Sequence, residues 1–186
     1  MAKVLKELDA GLISWIAEQP VFFVASAPNG PDGHVNLSPK GYDSFRVLGP
    51  KRVTYLDLTG SGAETIAHLR QNGRLTIMFC AFSGPPRILR LFGTGRPVFP
   101  GDGEWDDLAA KFEELPGTRS IIVLELERIH TSCGYAVPFM EVVGERPTLQ
   151  QWAEREGEEQ LDAYRAGKNA ESIDGLPAVP RTIPTA

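Results

Sequence analysis

The sequence predicts a mainly β fold with flanking helices, its strands antiparallel and arranged as a barrel. Three observations carry this. Residues 21–25, 34–38, 53–58, 75–82, 87–94 and 120–129 are rich in apolar, β-branched and aromatic residues, as strands are. Short Gly/Pro-rich turns such as 28–33 and 83–86 join several of them, which suits hairpins and not the long crossovers of a parallel sheet. Helix-spaced segments are few and fall between some strands only.

Taken in order, Val4, Leu5, Leu8, Leu12, Trp15 and Ile16 recur at helical spacing, so a helix is expected over 4–18, stopped by Pro20. Residues 21–25 and 34–38 form a hairpin about the 28–33 turn. Pro39 ends the second strand, because it has no N–H for the ladder. A short strand is expected at 45–48, then the strand 53–58. Residues 61–72 read as a helix, with Ser61 and Glu64 as a capping box and Asn72-Gly73 as its stop. A further helix is expected over 102–115, with Trp105, Leu108 and Phe112 on one face. Residues 148–168 form a polar surface helix or helix pair. The Pro-rich end, 175–186, is extended, either loose or laid on a partner subunit.

The chain has 186 residues and a net charge of −5. That length suits one domain with a tail. The negative charge lacks the basic footprint of a nucleic-acid binder. No apolar run is long enough to span a membrane. Lys3, Lys6, Glu7 and Asp9 interrupt the first apolar pattern, unlike a signal peptide. Cys80 and Cys133 have no metal-ligand spacing, so no metal site is expected and a reduced, cytoplasmic protein is the simplest reading. Cys133 reads as a small buried residue, His68 as half-exposed on its helix, and His34 and His130 lack acidic partners. Arg87 and Arg90 differ by three positions and so face opposite sides of their strand.

The turn 59–65, Thr-Gly-Ser-Gly-Ala-Glu-Thr, is the candidate site. A strand that turns through glycines into a helix start gathers free N–H groups and the positive end of the helix dipole, which favour a phosphate. The same composition also suits a plain strand–helix connection whose glycines only make the turn.

The hairpin 21–38, the Tyr55-Leu56-Asp57 strand, the turn and its helix, the Asn72-Gly73-Arg74-Leu75 restart and the strand Arg87 to Gly93, in this order, resemble the pyridoxamine 5'-phosphate oxidase-like family, the FMN-binding split barrels. Ser132 to Pro138 and Ser172 to Pro177 resemble a branch other than the oxidase itself. The resemblance implies an antiparallel six-stranded split β-barrel over 1–145, with a C-terminal helical segment and tail over 146–186. It further implies a homodimer with flavin mononucleotide (FMN) in a cleft at the subunit interface, and an oxidoreductase acting on a small molecule. A deazaflavin coenzyme, or a flavin carrier or sensor without turnover, is the alternative. Carried over residue by residue, Ser38, Pro39, Lys40 and Gly41 flank the isoalloxazine and ribityl. Tyr55, Leu56 and Asp57 line the next strand's side, Ser61, Gly62 and Thr65 hold the phosphate, and Arg87 or Leu89 approaches from the return strand. One departure stands out. The oxidase carries an Arg-Lys pair where this chain has about Ala63, Glu64 and Thr65, so positive charge has to come from Lys40, Arg87 or Arg90.

Overall fold

The computed structural model describes residues 3–180. In chain order the elements are β1 (Lys3–Leu5), α1 (Ala10–Ala17), β2 (Phe22–Ser26), β3 (Asn36–Lys40), β4 (Phe45–Gly49), β5 (Arg52–Leu58), α2 (Glu64–Asn72), β6 (Arg74–Cys80), β7 (Ile88–Val98), α3 (Trp105–Ala109), β8 (Thr118–Ser132) and α4 (Thr148–Lys168). The strands form one antiparallel sheet of order β3-β2-β6-β7-β8-β5-β4, with β1 also paired to β8. The mainly β, antiparallel class is therefore as expected, while the described residues form eight strands and not six.

The sheet is open in its hydrogen bonds but closes through side chains. Phe22 of β2 meets Phe45 of β4 at 5.1 Å and Tyr55 of β5 at 5.4 Å between ring centroids, although these strands lie toward opposite ends of the sheet order. Lys40 of β3 and Asp57 of β5 bridge the same gap at 3.2 Å. A sheet with right-handed twist curls, and inward residues of every second position then share one interior. Val24, Val53, Tyr55, Ile77, Phe79, Leu89, Leu91, Ile122 and Leu124 form that core, covered by α1 and α2. A second cluster, Leu56, Val98, Leu108, Ile121 and Val123, lies on the outer face.

Several boundaries differ from expectation. Val4 and Leu5 belong to β1, paired with His130 and Ile129, and the first helix starts only after Asp9. Asp9 accepts from the Leu12 N–H at 2.8 Å, and a good N-cap outweighs helical spacing upstream of it. β3 begins two residues later than expected and runs through Pro39, which lies opposite Phe23. An edge strand tolerates proline because one side of it makes no ladder. The helix expected over 102–115 is α-helical only as α3, then tightens into i→i−3 bonds, Lys111 N–H to Leu108 and Phe112 N–H to Ala109. Within α4, Gly157 has φ 73° and ψ 164°, a break between two helices, as the helix-pair alternative allows. The tail folds back on its own chain as far as it is described. Glu171 pairs with Pro177, and Ala178 and Val179 are buried in the main core, while 181–186 lie outside the described residues. No described helix is long and apolar enough to cross a membrane.

Candidate functional site

β5 delivers the chain to Thr59, whose N–H and hydroxyl both donate to the Gly117 carbonyl, at 2.7 and 2.8 Å. That double anchor fixes where the turn leaves the sheet. α2 starts at Glu64 with Ala63 as N-cap and no side-chain cap, so the expected capping box does not form and Ser61 stays exposed outside the helix. Among the described residues, the N–H groups of Gly60 to Thr65 donate to no carbonyl or side chain. These are the orphan donors of a helix start, gathered at the turn. The Glu64 carboxylate lies beside Gly62 and accepts from none of these amides; its Oε1 accepts instead from the Ile173 N–H at 3.3 Å.

A buried polar chain supports the turn from below. Asp57 is 1% exposed and accepts from Lys40 Nζ at 3.2 Å, Arg119 Nε at 2.7 Å and Ser120 Oγ at 3.2 Å. Burial pushes its carboxyl pKa up, but the Arg119 and Lys40 charges and hydrogen bonds outweigh it and hold the value at about 2. Arg119 passes a second bond to Asn169 Oδ1 at 2.8 Å, and Asn169 Nδ2 donates to the Gly60 carbonyl at 3.0 Å. Five residues later, Thr65 Oγ1 accepts from Asn36 Nδ2 at 3.0 Å, and Asn36 Oδ1 accepts from Ser38. Arg165 of α4 donates to Thr59 Oγ1 at 2.9 Å and is neutralised by Asp162 and Glu158.

The structure thus gathers Ser38, Lys40, Asp57 and the turn residues Ser61, Gly62 and Thr65 into one region, with Pro39 and Gly41 on the same edge. The other three candidates sit differently. Tyr55 shares a strand face with Asp57 but is wholly buried in the barrel interior, where burial first and the Asp57 charge next raise its hydroxyl pKa well above the ordinary range. Leu56 points to the opposite face, as strand alternation requires. Arg87 lies over the Trp15 ring at 5.2 Å, just before Ile88, which pairs with Ser132; the turn adjoins Leu58, which pairs with Thr118. These are the two ends of the fifteen-residue strand β8, so Arg87 cannot reach this chain's turn. Arg90 donates to Ser132 at that far end as well.

Sequence reasoning missed Arg119, Asn169, Asn36 and Arg165, polar residues without local motif. Its reading of the histidines also changes. His68 is fully buried, bonded through Nδ1 to Ser26 Oγ at 2.9 Å, and burial lowers its pKa. His34 does have an acidic partner, Asp174, at 2.7 Å. Cys133 is exposed and Cys80 buried.

Beside the turn lies a cavity of about 610 Å³, bounded by Leu56, Trp105, Phe112, Leu115, Gly117 and Arg165 among others. Gly117 and Arg165 are also Thr59's partners, but no residue of the 59–65 turn is part of the cavity's wall. Beside its apolar residues the wall carries Glu113, Glu114, Glu158 and Asp162, so the cavity is acidic as well as apolar.

The family model described as pyridoxamine 5'-phosphate oxidase matches residues 8–133. The pyridoxamine 5'-phosphate oxidase family protein ustO of Aspergillus flavus is 40% identical over 193 residues, covering 94% of this chain and 76% of the relative. Two crystal structures of HupZ from Group A Streptococcus align with TM-scores of 0.53 and 0.52 at 21% identity. They cover 67% and 66% of this chain and 98% and 91% of theirs, a likeness of fold.

Proposed function

The chain belongs to the pyridoxamine 5'-phosphate oxidase family, and on that footing we propose that it is a flavin-dependent oxidoreductase acting on a small molecule. FMN is the proposed cofactor, with a deazaflavin as the alternative, and a second copy of the chain closes the site. The observation that carries this reading is the row of amides from Gly60 to Thr65 that meet no protein acceptor at the start of α2.

The donor set fits a flavin's polar tail in one respect. The backbone N–H groups from Gly60 to Thr65 meet no protein acceptor, and the Ser61 hydroxyl beside them is exposed at the positive end of α2. The Asp57–Arg119–Asn169 chain holds the Gly60 carbonyl and so keeps the turn in shape before any ligand arrives. Bound flavin would supply the hydride or electron chemistry, and the protein position and electrostatics.

The test is spectroscopic. Purified protein titrated with FMN and, separately, with a deazaflavin should perturb the absorption of one of them and quench its fluorescence at saturation. A protein that stays colourless and perturbs neither refutes the reading. Tight binding of a flavin that no reductant bleaches identifies a carrier instead of an enzyme.

A further inference from the structure

The cavity of about 610 Å³ and the buried polar chain under the turn lie on opposite sides of β5. Asp57 belongs to the inner face, and its neighbour Leu56 faces outward into the cavity's wall, as strand alternation requires. The cavity is therefore a separate space from the region that gathers Ser38, Lys40, Asp57 and the turn. Its wall has two parts. Leu56, Trp105, Ala109, Phe112 and Leu115 supply apolar surface, two of them aromatic, and continue the outer core cluster. Glu113, Glu114, Glu158 and Asp162 supply negative charge, and among the described lining residues Arg165 is the one cation. Asp162 at 2.8 Å and Glu158 at 3.2 Å share that guanidinium, so it offsets one of their two charges. Glu113 and Glu114 are exposed and form no ion pair among the described residues. The wall already draws cations of the protein's own: Arg46 lies over the Phe112 ring, 4.9 Å from its centroid, and Arg165 is buried between two of the carboxylates.

We infer that this cavity is a second small-molecule site, and that its ligand is an organic amine, an ammonium group on an apolar or aromatic body. Its volume lies within the roughly 300–1,000 Å³ of small-molecule pockets. The body of such a ligand leaves water against Leu56, Trp105 and Phe112, which supplies the attraction. The ammonium stays at the exposed Glu113 and Glu114, where it keeps part of its hydration and avoids the cost of burying a charge. A carboxylate on the same body meets like charge there. A bare metal ion does not fit the site, because among the described residues no three acidic, His or Cys side chains converge to hold one. The inference stands apart from the flavin reading, since its residues and its readout are different.

The experiment titrates the full chain with three probes of one shape and different charge: 2-phenylethylamine, 2-phenylethanol and phenylacetate, at neutral pH. Binding is followed by NMR, through the Trp105 indole N–H and the backbone amides of residues 113–118. The amine should move these signals and bind at least about threefold more tightly than the alcohol, with phenylacetate weakest. Raising the salt from about 0.01 to about 0.3 M should erode the amine's advantage and leave the alcohol unchanged, a test of charge that needs no variant. The double variant Glu113→Gln with Glu114→Gln should weaken the amine by about three- to tenfold and keep the alcohol within about twofold. Glu154→Gln, an exposed carboxylate on α4 outside the wall, should change neither. Equal affinity for amine and alcohol, tighter binding of phenylacetate, binding of no probe, or shifts confined to residues outside the wall overturns the inference. So does displacement of the amine by FMN, because the cavity would then be the flavin's own site. Amine binding in a protein that takes up no flavin leaves this inference standing and removes the flavin reading alone.

Discussion

Replacing Arg119 by Met tests the polar support of the turn. Arg119 is 4% exposed and gives one bond to Asp57 and one to Asn169. Met fills similar space but brings no charge, leaving Asp57 with the Ser120 hydroxyl and with Lys40 as its one charged partner, whose side chain is 24% exposed. Two routes bound the cost. Removing one member of a buried ion pair is worth about 3–5 kcal/mol, because the other charge stays buried without compensation. Independently, the depression of the Asp57 pKa from 3.8 to about 2 corresponds to about 2–3 kcal/mol at 1.36 kcal/mol per unit. A loss of about 3 kcal/mol satisfies both, and lowers Tm by roughly 6–12 °C for a chain of this size. Urea unfolding at neutral pH, with thermal melts beside it, measures the loss. The double variant Asp57→Asn with Arg119→Met should recover part of it, since no carboxylate is then left buried. A single-variant loss below about 1 kcal/mol, the range of an exposed pair, would refute the view that the Asp57–Arg119 contact is a desolvated strut.

Phe22→Ala should cost about 3–5 kcal/mol, because Phe22 is 3% exposed and its ring joins those of Phe45, Tyr55 and Phe79 across the gap in the sheet; urea unfolding measures it, and a cost near zero would mean that the barrel does not close through these rings. Acid should destabilise the protein in two stages. Burial places the folded pKa of His68 below 6.5, so the stability it contributes is full above that pH and falls as the ring is forced to accept a proton at lower pH. Asp57, with its folded pKa at about 2, contributes stability that is full above about 4 and is lost as pH falls toward 2. Unfolding free energies across a pH series check both, and a His68→Gln variant should lose the earlier stage only.

Most of the strands were legible because each writes its own evidence into consecutive residues. β5, β6, β7 and β8 carry apolar β-branched runs, and their Gly/Pro turns lie beside them in sequence. The turn itself was legible for the same reason. What could not be read is whatever another part of the chain decides. Val4 and Leu5 show helical spacing, but β8 recruits them as a strand. Ser61 and Glu64 match a capping box, but Glu64 is drawn away by Ile173, 109 positions later. Arg87 is carried onto the site by the family resemblance, and only the register along β8 reveals that it sits at the other end. Asn169 and Arg119 have no local pattern, since their roles exist only once Asp57 and Gly60 are brought between them.

The same long-range contacts explain how a short loop can be a rigid binding element. A Gly-rich turn has many conformations open to it in isolation, and ordering it costs conformational entropy at every residue. Here Thr59 is held by Gly117 and Arg165, the Gly60 carbonyl by Asn169, and Thr65 by Asn36, so that ordering cost is met during folding and not at the moment of binding. Three of these four anchors come from β8's approach, from α4 and from the residue after it. The C-terminal segment is therefore part of the site's architecture, because without it the amides would still exist but would not be held in one place.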